Sequence, residues 1–202
     1  QGFWILRGYA TEGRNVVRSA LALPDIQSSD IAHAWALYVG AALAESQSDH
    51  DEARRMLETC LVLRRRLGNQ KDIAATLSTL SLARLQAGDA AGALETEQEA
   101  LQIFRDLGDR SGEAIGLIHL GQIRAYTGDA EQARMHLEEC MSVARNLKHQ
   151  EIEGECQLLL GEVAFQGFGA LLAVQFRGGR RVVFLAEFRN FRVEGLRFAH
   201  RL

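Results

Sequence analysis

Cysteine, proline and long apolar runs are scarce or absent in this chain of 202 residues. Its three cysteines, Cys60, Cys140 and Cys156, form no CxxC pair, which excludes a disulfide framework and is typical of a reducing compartment. The single proline, Pro24, is predicted to lie in a turn. No apolar run approaches the roughly 20 residues that cross a bilayer, and no segment has the pattern of a secretory signal. We therefore expect a cytoplasmic protein without a membrane span.

Motifs of catalysis and of metal binding are also missing. The chain has no GxxxxGK[ST] loop, and Gly167-Phe168-Gly169 is too short for a dinucleotide fingerprint. The six histidines lack the HxxxH or similar close spacing that metal ligands need. No nucleophile can be paired with a base at a spacing that periodicity alone does not explain. We predict a non-catalytic protein without a cofactor or a metal.

The net charge of −3 conceals an uneven distribution of charge along the chain. Residues 1–166 carry 16 basic and 24 acidic side chains, whereas residues 167–202 carry seven arginines and two glutamates. Binding to nucleic acid needs a continuous basic face, and the acidic body argues against one. A content of 47% hydrophobic and 24% charged residues fits a folded, soluble protein.

A segment repeated every 40 residues dominates the rest of the chain. Its copies are residues 68–87, 108–127 and 148–167, and the matching pairs include Leu77 with Leu117, Leu80 with Leu120, Gly88-Asp89 with Gly128-Asp129, and Ala93 with Ala133. Self-similarity at a period between about 20 and 50 residues indicates a stack of like supersecondary units. Such a stack offers an extended surface, so binding is the first hypothesis for its function.

Each copy has the apolar spacing of two helices. Ile73, Leu77 and Leu80 follow one helical stripe, and Ala93, Ala100 and Phe104 belong to a second. Gly88 lies where the first helix needs a left-handed residue to end, and Asp89 can cap the second helix. Gly128-Asp129 repeats this pattern. We predict antiparallel helix pairs joined by short turns, with no strand pattern before residue 180.

These recurring residues resemble the tetratricopeptide repeat, in which Leu-Gly, Gly-Asp and two spaced small residues recur. The best copy has Leu120-Gly121, Gly128-Asp129, Ala133 and Cys140, but arginine replaces the usual aromatic at Arg84 and Arg124. A period of 40 residues in place of about 34 indicates a subtype with longer helices. The resemblance implies an all-α, right-handed α–α superhelix, a solenoid of antiparallel helix pairs. Another Leu- and Ala-rich helical solenoid is the alternative.

A narrower resemblance is to the repeat arm of large bacterial signal-transduction ATPases. Residues 4–14, 63–68 and 104–110 carry it. In that family the ATPase is coupled to an output domain, often DNA-binding or a nucleotide cyclase, and the arm receives an effector or a partner protein. Because the chain begins at Gln1 without a methionine, we expect it to be part of a longer regulator.

The period divides the chain into successive segments. We predict a partial repeat at residues 1–27 (the end of one helix plus a second helix), three full repeats at 28–67, 68–107 and 108–147, a degenerate repeat at 148–176, and a tail at 177–202. The tail is basic and rich in phenylalanine, and three interpretations stay open. In the first interpretation the tail is a helix that caps the stack, in the second it is an arm that contacts membrane or nucleic acid, and in the third it is a non-native extension.

The resemblance also implies a binding groove, because the first helix of each pair lines the concave face of such arrays. The candidate groove residues are Trp35, Tyr38, Ser78, Leu82, Ile115, Ile118, Gln122, Tyr126, Leu158 and Glu162. Their mostly apolar character suits a protein or peptide segment, such as the apolar face of an amphipathic helix. For each of them, packing against the next unit is the competing interpretation.

Acidic runs on the second helices, at residues 95–99 and 138–139, are predicted to form a solvated convex surface. The function expected from the sequence is thus recognition of a protein or an effector, within the sensor arm of a cytoplasmic regulator. A structural or oligomerisation module without a separate ligand is the alternative.

Overall fold

The structure is a computed structural model that describes the backbone of residues 9–175 and the side chains of residues 9–165. The chain divides between residues 160 and 161 into two units, of which the structure describes the backbone of residues 9–160 and 161–175. In the second unit the described backbone, residues 161–175, is helical. The basic tail predicted at residues 177–202 lies outside the described residues.

The described residues contain helices and turns but no strand, as the sequence predicts. The helices are α1 (Ala10–Leu21), α2 (Pro24–Ser28), α3 (Asp30–Glu45), α4 (His50–Leu67), α5 (Gln70–Gln86), α6 (Ala90–Asp106), α7 (Arg110–Tyr126), α8 (Ala130–Leu147) and α9 (Gln150–Gln175). The prediction that Pro24 lies in a turn is wrong, because Pro24 begins the short helix α2, where its missing amide hydrogen costs no hydrogen bond.

Local capping explains where these helices begin and end. Six helices, α3 to α8, follow an N-cap side chain that accepts a hydrogen bond from a backbone amide of the first turn, and these residues are Ser29, Asp49, Asn69, Asp89, Asp109 and Asp129. Gly88 and Gly128 end α5 and α7 in the left-handed region, with φ of 90° and 84°, as predicted. Ser48 takes the same turn position in the preceding pair, with φ of 60°.

The helices stack in the order of the chain. The closest packing is within the pairs α3–α4, α5–α6 and α7–α8, and α4–α5 and α6–α7 pack next most closely. We call α3, α5, α7 and α9 the first helices, and α4, α6 and α8 the second helices. This arrangement is an all-α solenoid of antiparallel helix pairs, the fold that the sequence predicts.

Small side chains allow the helices of a pair to approach closely. The equivalent residues Ala53, Ala93 and Ala133 are fully buried at the start of the second helices. About two helical turns later, Cys60 and Cys140 are also fully buried. Each thiol donates a hydrogen bond across the pair at 3.3 Å, to the carbonyl oxygens of Ala34 and Ala114 respectively. The cysteines are therefore small core residues.

Burial raises the pKa of all three thiols above their ordinary value, and Cys156 Sγ lies 2.8 Å from Cys140 Sγ. The folded protein therefore holds these protons more tightly than the unfolded chain does. Their stabilising contribution is complete below the ordinary thiol pKa of about 8.5 and is lost as the pH rises above it.

We expect the free energy of unfolding to fall above about pH 9, by at most about 1.4 kcal/mol per pH unit for each buried thiol. Urea titrations at about pH 8 and pH 10 measure this loss. Cys140→Ala is the matched variant, because Ala100 occupies the equivalent position one repeat earlier. Its stability should depend less steeply on pH than that of the wild type, and equal slopes would contradict the prediction.

Candidate functional site

The ten candidate groove residues all lie on the first helices. Trp35, Ile115, Tyr126 and Leu158 are exposed, at 53%, 42%, 65% and 60% of their surface. Four others are half-buried (Tyr38, Leu82, Gln122 and Glu162), and two are buried (Ser78 and Ile118). Glu162 belongs to the second unit, residues 161–202, and is described apart from the rest. Buried Ser78 and Ile118 contribute to packing between helices, whereas the exposed four supply apolar surface.

Neighbouring first helices meet at a fixed sequence separation of 41 residues. Tyr38 Oη and Thr79 Oγ1 lie 3.1 Å apart, and Ser78 Oγ lies 2.9 Å from His119 Nδ1. Thr79 already donates its hydroxyl hydrogen to the carbonyl of Ala75, so the tyrosine must be the donor to Thr79. At the next contact of this kind, Ile118 is equivalent to Tyr38 and Ser78, and Leu159 is equivalent to Thr79 and His119. Ile118 is buried in an apolar cluster, and Leu159 packs against the same cluster.

A buried arginine holds the aromatic end of this face. Arg64 of α4 is only 4% exposed, and its guanidinium lies 4.5 Å from the ring centroid of Tyr38 and 5.2 Å from that of Trp35. The two rings meet edge to face, with centroids 6.3 Å apart. Arg64 Nη1 donates hydrogen bonds to Thr76 Oγ1 at 2.7 Å and to the carbonyl of Asp72 at 2.9 Å. The exposed Trp35 is therefore preorganised, which lowers the entropic cost of binding through it.

The arginine that replaces the usual aromatic at position 84 forms the same pattern of hydrogen bonds as Arg64. Arg84 Nη1 donates to Thr96 Oγ1 at 2.6 Å and to the carbonyl of Gly92 at 3.4 Å. In both cases an arginine near the end of one helix donates hydrogen bonds to the residues 8 and 12 positions later, in the first half of the next helix. These hydrogen bonds explain how an arginine is accommodated where the repeat usually has an aromatic residue.

In the next repeat Arg124 is equivalent to Arg84, and His136 replaces the threonine equivalent to Thr96. Arg124 therefore has no threonine at that position to which it could donate a hydrogen bond. Arg124 Nη1 lies 3.5 Å from Asp129 Oδ2, and its Nε is buried without a hydrogen-bond partner among the described residues. Burial lowers the pKa of His136 below its ordinary value, although Glu139 opposes this effect. His136 is thus favoured in its neutral form beside the arginine.

A polar cluster lies in the core between the second and third pairs. Glu97 of α6 is fully buried, and Ser78 Oγ of α5 donates a hydrogen bond to Glu97 Oε1 at 2.9 Å. The one hydroxyl hydrogen of Ser81 is shared between Glu97 Oε2 and the carbonyl oxygen of Ser78. His119 Nδ1 of α7 lies 3.4 Å from Glu97 Oε2. We call Ser78, Ser81, Glu97 and His119 the Glu97 cluster.

The prediction that residues 95–99 form a solvated surface is wrong for Thr96 and Glu97, which are both buried. Glu95, Gln98 and Glu99 are exposed, as predicted. The repeat alignment contained the missed signal, because Glu97 is equivalent to Leu57 and Leu137, which are fully buried. Position in the repeat, and not the composition of the charged run, determines which of these side chains face the core.

The Glu97 cluster has the residue types of a catalytic triad but a different geometry. A nucleophile–base relay needs the serine on one ring nitrogen of the histidine and the carboxylate on the other. Here Ser78 Oγ and Glu97 Oε2 both approach Nδ1, at 2.9 and 3.4 Å, and Ser78 is buried. Among residues 9–165, no cluster of three or more His, Cys, Asp or Glu side chains could hold a metal ion. This geometry does not support catalysis by the cluster.

The second helices present a different surface. Arg65 pairs with Glu99, and Arg105 pairs with Glu139, each at 2.6 Å, so that equivalent ion pairs tie successive second helices together. Such exposed pairs stabilise by only about 0–1 kcal/mol each. No helix in the described part of the chain is long and apolar enough to cross a membrane.

Comparison with known proteins agrees with the fold. Residues 31–106 match the tetratricopeptide repeat family. The crystal structure of BtubC (BKLC) from P. vanneervenii is similar with a TM-score of 0.65 and 18% identity, over 80% of this chain and 66% of that chain. A variant of a putative Podosopora anserina kinesin light chain with nearly identical TPR-like repeats gives 0.69 and 15%, over 96% and 92% of the two chains. Among curated protein sequences, none matches this chain.

Proposed function

We propose that this chain is a non-catalytic scaffold that binds a protein or peptide segment along the exposed face of its first helices. The observation that carries the proposal is that three of the four first helices, α3, α7 and α9, each expose a large apolar side chain, namely Trp35, Ile115 and Leu158. The exposed residues of the second helices are mostly charged or polar. Large apolar groups that remain exposed on one face of a folded protein are typical of an interaction site.

The chemistry of this face supports an amphipathic helix as the partner. Ile115 and Leu158 offer aliphatic surface, and Trp35 offers an aromatic anchor already held by Arg64. Glu151 and Glu155 are exposed at the start of α9 and form no ion pair among the described residues. A partner with basic residues beside its apolar stripe would complement these carboxylates, which mainly raises the rate of association.

The sensor arm of a larger cytoplasmic regulator is the setting that we propose for this scaffold. Residues 63–68 and 104–110, which carry the resemblance to signal-transduction ATPases, support it. The division into repeats at residues 28–67, 68–107 and 108–147 belongs to the same proposal and is supported by the glycine turns at Gly68 and Gly108, with φ of 75° and 66°. Occupancy of the groove would then bias how the arm sits on the neighbouring domain.

Binding can be tested with a displayed library of amphipathic helical peptides, selected on the purified chain. We expect the dissociation constant of an enriched peptide, measured by fluorescence anisotropy, to rise at least about tenfold in Trp35→Ala, since buried aromatic anchors dominate interfaces. Val62→Ala is the matched control, because Val62 has the same exposure of 53% but lies on the second helix α4. It should leave the affinity unchanged.

Equal affinities of Trp35→Ala and the wild type would contradict the proposed groove. Light scattering addresses the alternative of an oligomerisation module. A concentration-dependent dimer that Trp35→Ala dissociates would show that the same face binds a second copy of the chain.

A further inference from the structure

The Glu97 cluster engages only one of the two ring nitrogens of His119. Nδ1 contacts Ser78 Oγ at 2.9 Å and Glu97 Oε2 at 3.4 Å. Nε2 forms no hydrogen bond within the described residues. The side chain of His119 is 16% exposed, on the same face of α7 as Ile115, one helical turn away.

The hydrogen bonds of the cluster determine the tautomer of this ring. Ser78 has one hydroxyl hydrogen and donates it to Glu97 Oε1. Its oxygen can therefore only accept from His119, so Nδ1 must carry the hydrogen. In the neutral imidazole, the lone pair then belongs to Nε2, which becomes a hydrogen-bond acceptor.

The Glu97 cluster brings together polar residues of the three helices α5, α6 and α7 around the ring of His119. Other pairs have Leu57 and Leu137 in place of Glu97, and Val39 and Leu159 in place of His119, although the preceding pair has Thr79 there. An apolar core of similar volume is usually as stable as a buried polar cluster or more so. The polar groups of the cluster form hydrogen bonds with one another, and His119 Nε2 is the atom of the cluster that remains available at the exposed face of the first helices.

We propose that His119 is a specificity-determining residue of the groove, whose Nε2 accepts a hydrogen bond from a hydroxyl or amide side chain of the bound peptide. The partner is thus an apolar helical stripe interrupted by one Ser, Thr, Asn or Gln, placed opposite His119 and beside the contact to Ile115. This inference rests on the proposed function, because it names the polar position of the same groove. Left without a donor, Nε2 would be desolvated on binding at a cost in affinity.

His119→Asn is the informative variant. The asparagine amide can replace Nδ1–H as a donor to Ser78 and Glu97, but it has no group at the position of Nε2. His119→Gln places an amide near the position of Nε2 and tests rescue. Urea titrations of both variants, compared with the wild type, report the effect on folding separately from the effect on binding.

The probe is the peptide enriched by selection on the wild-type protein, together with its analogue in which the polar residue is changed to an isosteric apolar one, such as Thr→Val. We expect His119→Asn to bind the parent peptide about tenfold more weakly than the wild type, and His119→Gln to recover part of the loss. On the wild-type protein, the analogue should bind about tenfold more weakly than the parent peptide. On His119→Asn, the analogue and the parent peptide should bind with equal affinity. This coupling is the signature of a direct contact.

Three outcomes would overturn the inference. The first is that the enriched peptides share no hydroxyl or amide residue at a fixed position. The second is that the substitutions in the protein and in the peptide affect the affinity independently. With either outcome, a loss of binding in Trp35→Ala would still support the proposed function. A library that yields no enriched peptide on the wild type would overturn both.

Discussion

Replacing Glu97 by alanine is expected to lower the free energy of unfolding by about 3 kcal/mol or more, because each buried polar group left without its partner costs about 1–3 kcal/mol and the shortened side chain leaves a cavity. Ser78, Ser81 and His119 would all lose the carboxyl group that they contact, and the fully buried site would hold a cavity. Urea unfolding followed by circular dichroism measures the change. Glu95→Ala is the matched control on the same helix, since Glu95 is exposed and should stay within about 0.5 kcal/mol of wild type.

A second variant separates the contribution of the cluster from the damage of breaking it. Ser78→Ile, Ser81→Ala, Glu97→Leu and His119→Leu together supply the residues found at equivalent positions, Ile118, Ala41, Leu57 and Leu159. We expect this quadruple variant to be as stable as the wild type or about 1–4 kcal/mol more stable, as when buried ion pairs are replaced by packed apolar groups. Marked destabilisation of the quadruple variant, or no effect of Glu97→Ala, would show that the cluster does not behave as a satisfied buried network.

Replacing Ala93 by leucine is expected to cost about 1–3 kcal/mol, because extra methylene groups force a packed core apart. Ala93 is fully buried near the start of α6, as are Ala53 and Ala133 at the equivalent positions. Thermal melting and urea titration of the purified variant measure the loss. Ala133→Leu should behave in the same way if the two positions are equivalent.

Ala91→Leu is the control for this substitution. Ala91 lies two residues earlier on the same helix but is exposed, so the same change should have an effect within about 0.5 kcal/mol. If Ala93→Leu melts like the wild type, the helix pair has room that a close crossing would not leave, and the equivalence of the repeats would be contradicted.

The sequence alone was sufficient to predict the three helix pairs from α3 to α8 and the order in which they stack, but not the short helix α2 or the unbroken helix α9. Gly88 and Asp89 were assigned to the turn between two helices, and they adopt a left-handed φ of 90° and an N-cap, respectively. These are local interactions, because a left-handed residue and a capping side chain act within one turn of the backbone. The repeat then carried the same local arrangement through successive pairs, which is why the fold class could be predicted.

The candidate groove could be predicted only in part. Trp35, Ile115 and Leu158 are exposed on the first helices, whereas Ser78 and Ile118, at the positions equivalent to Leu158, are buried. The position of a residue within the repeat indicates which way its side chain points. How far the next helix covers that side chain depends on the size of the residues opposite, and those vary from one pair to the next.

The sequence by itself determined the unit that repeats and the turns at Gly88-Asp89 and Gly128-Asp129, because periodicity is visible along the chain and capping and turns depend on a few neighbouring residues. Only the tertiary structure decided that Glu97 is a core residue, that Arg64 packs on Trp35 and Tyr38, and that His119 joins Ser78 from 41 residues away. The physical reason is that burial and polar pairing depend on what a neighbouring helix brings to the same place. A polar residue in a repeat becomes a surface group or a core partner according to that neighbour.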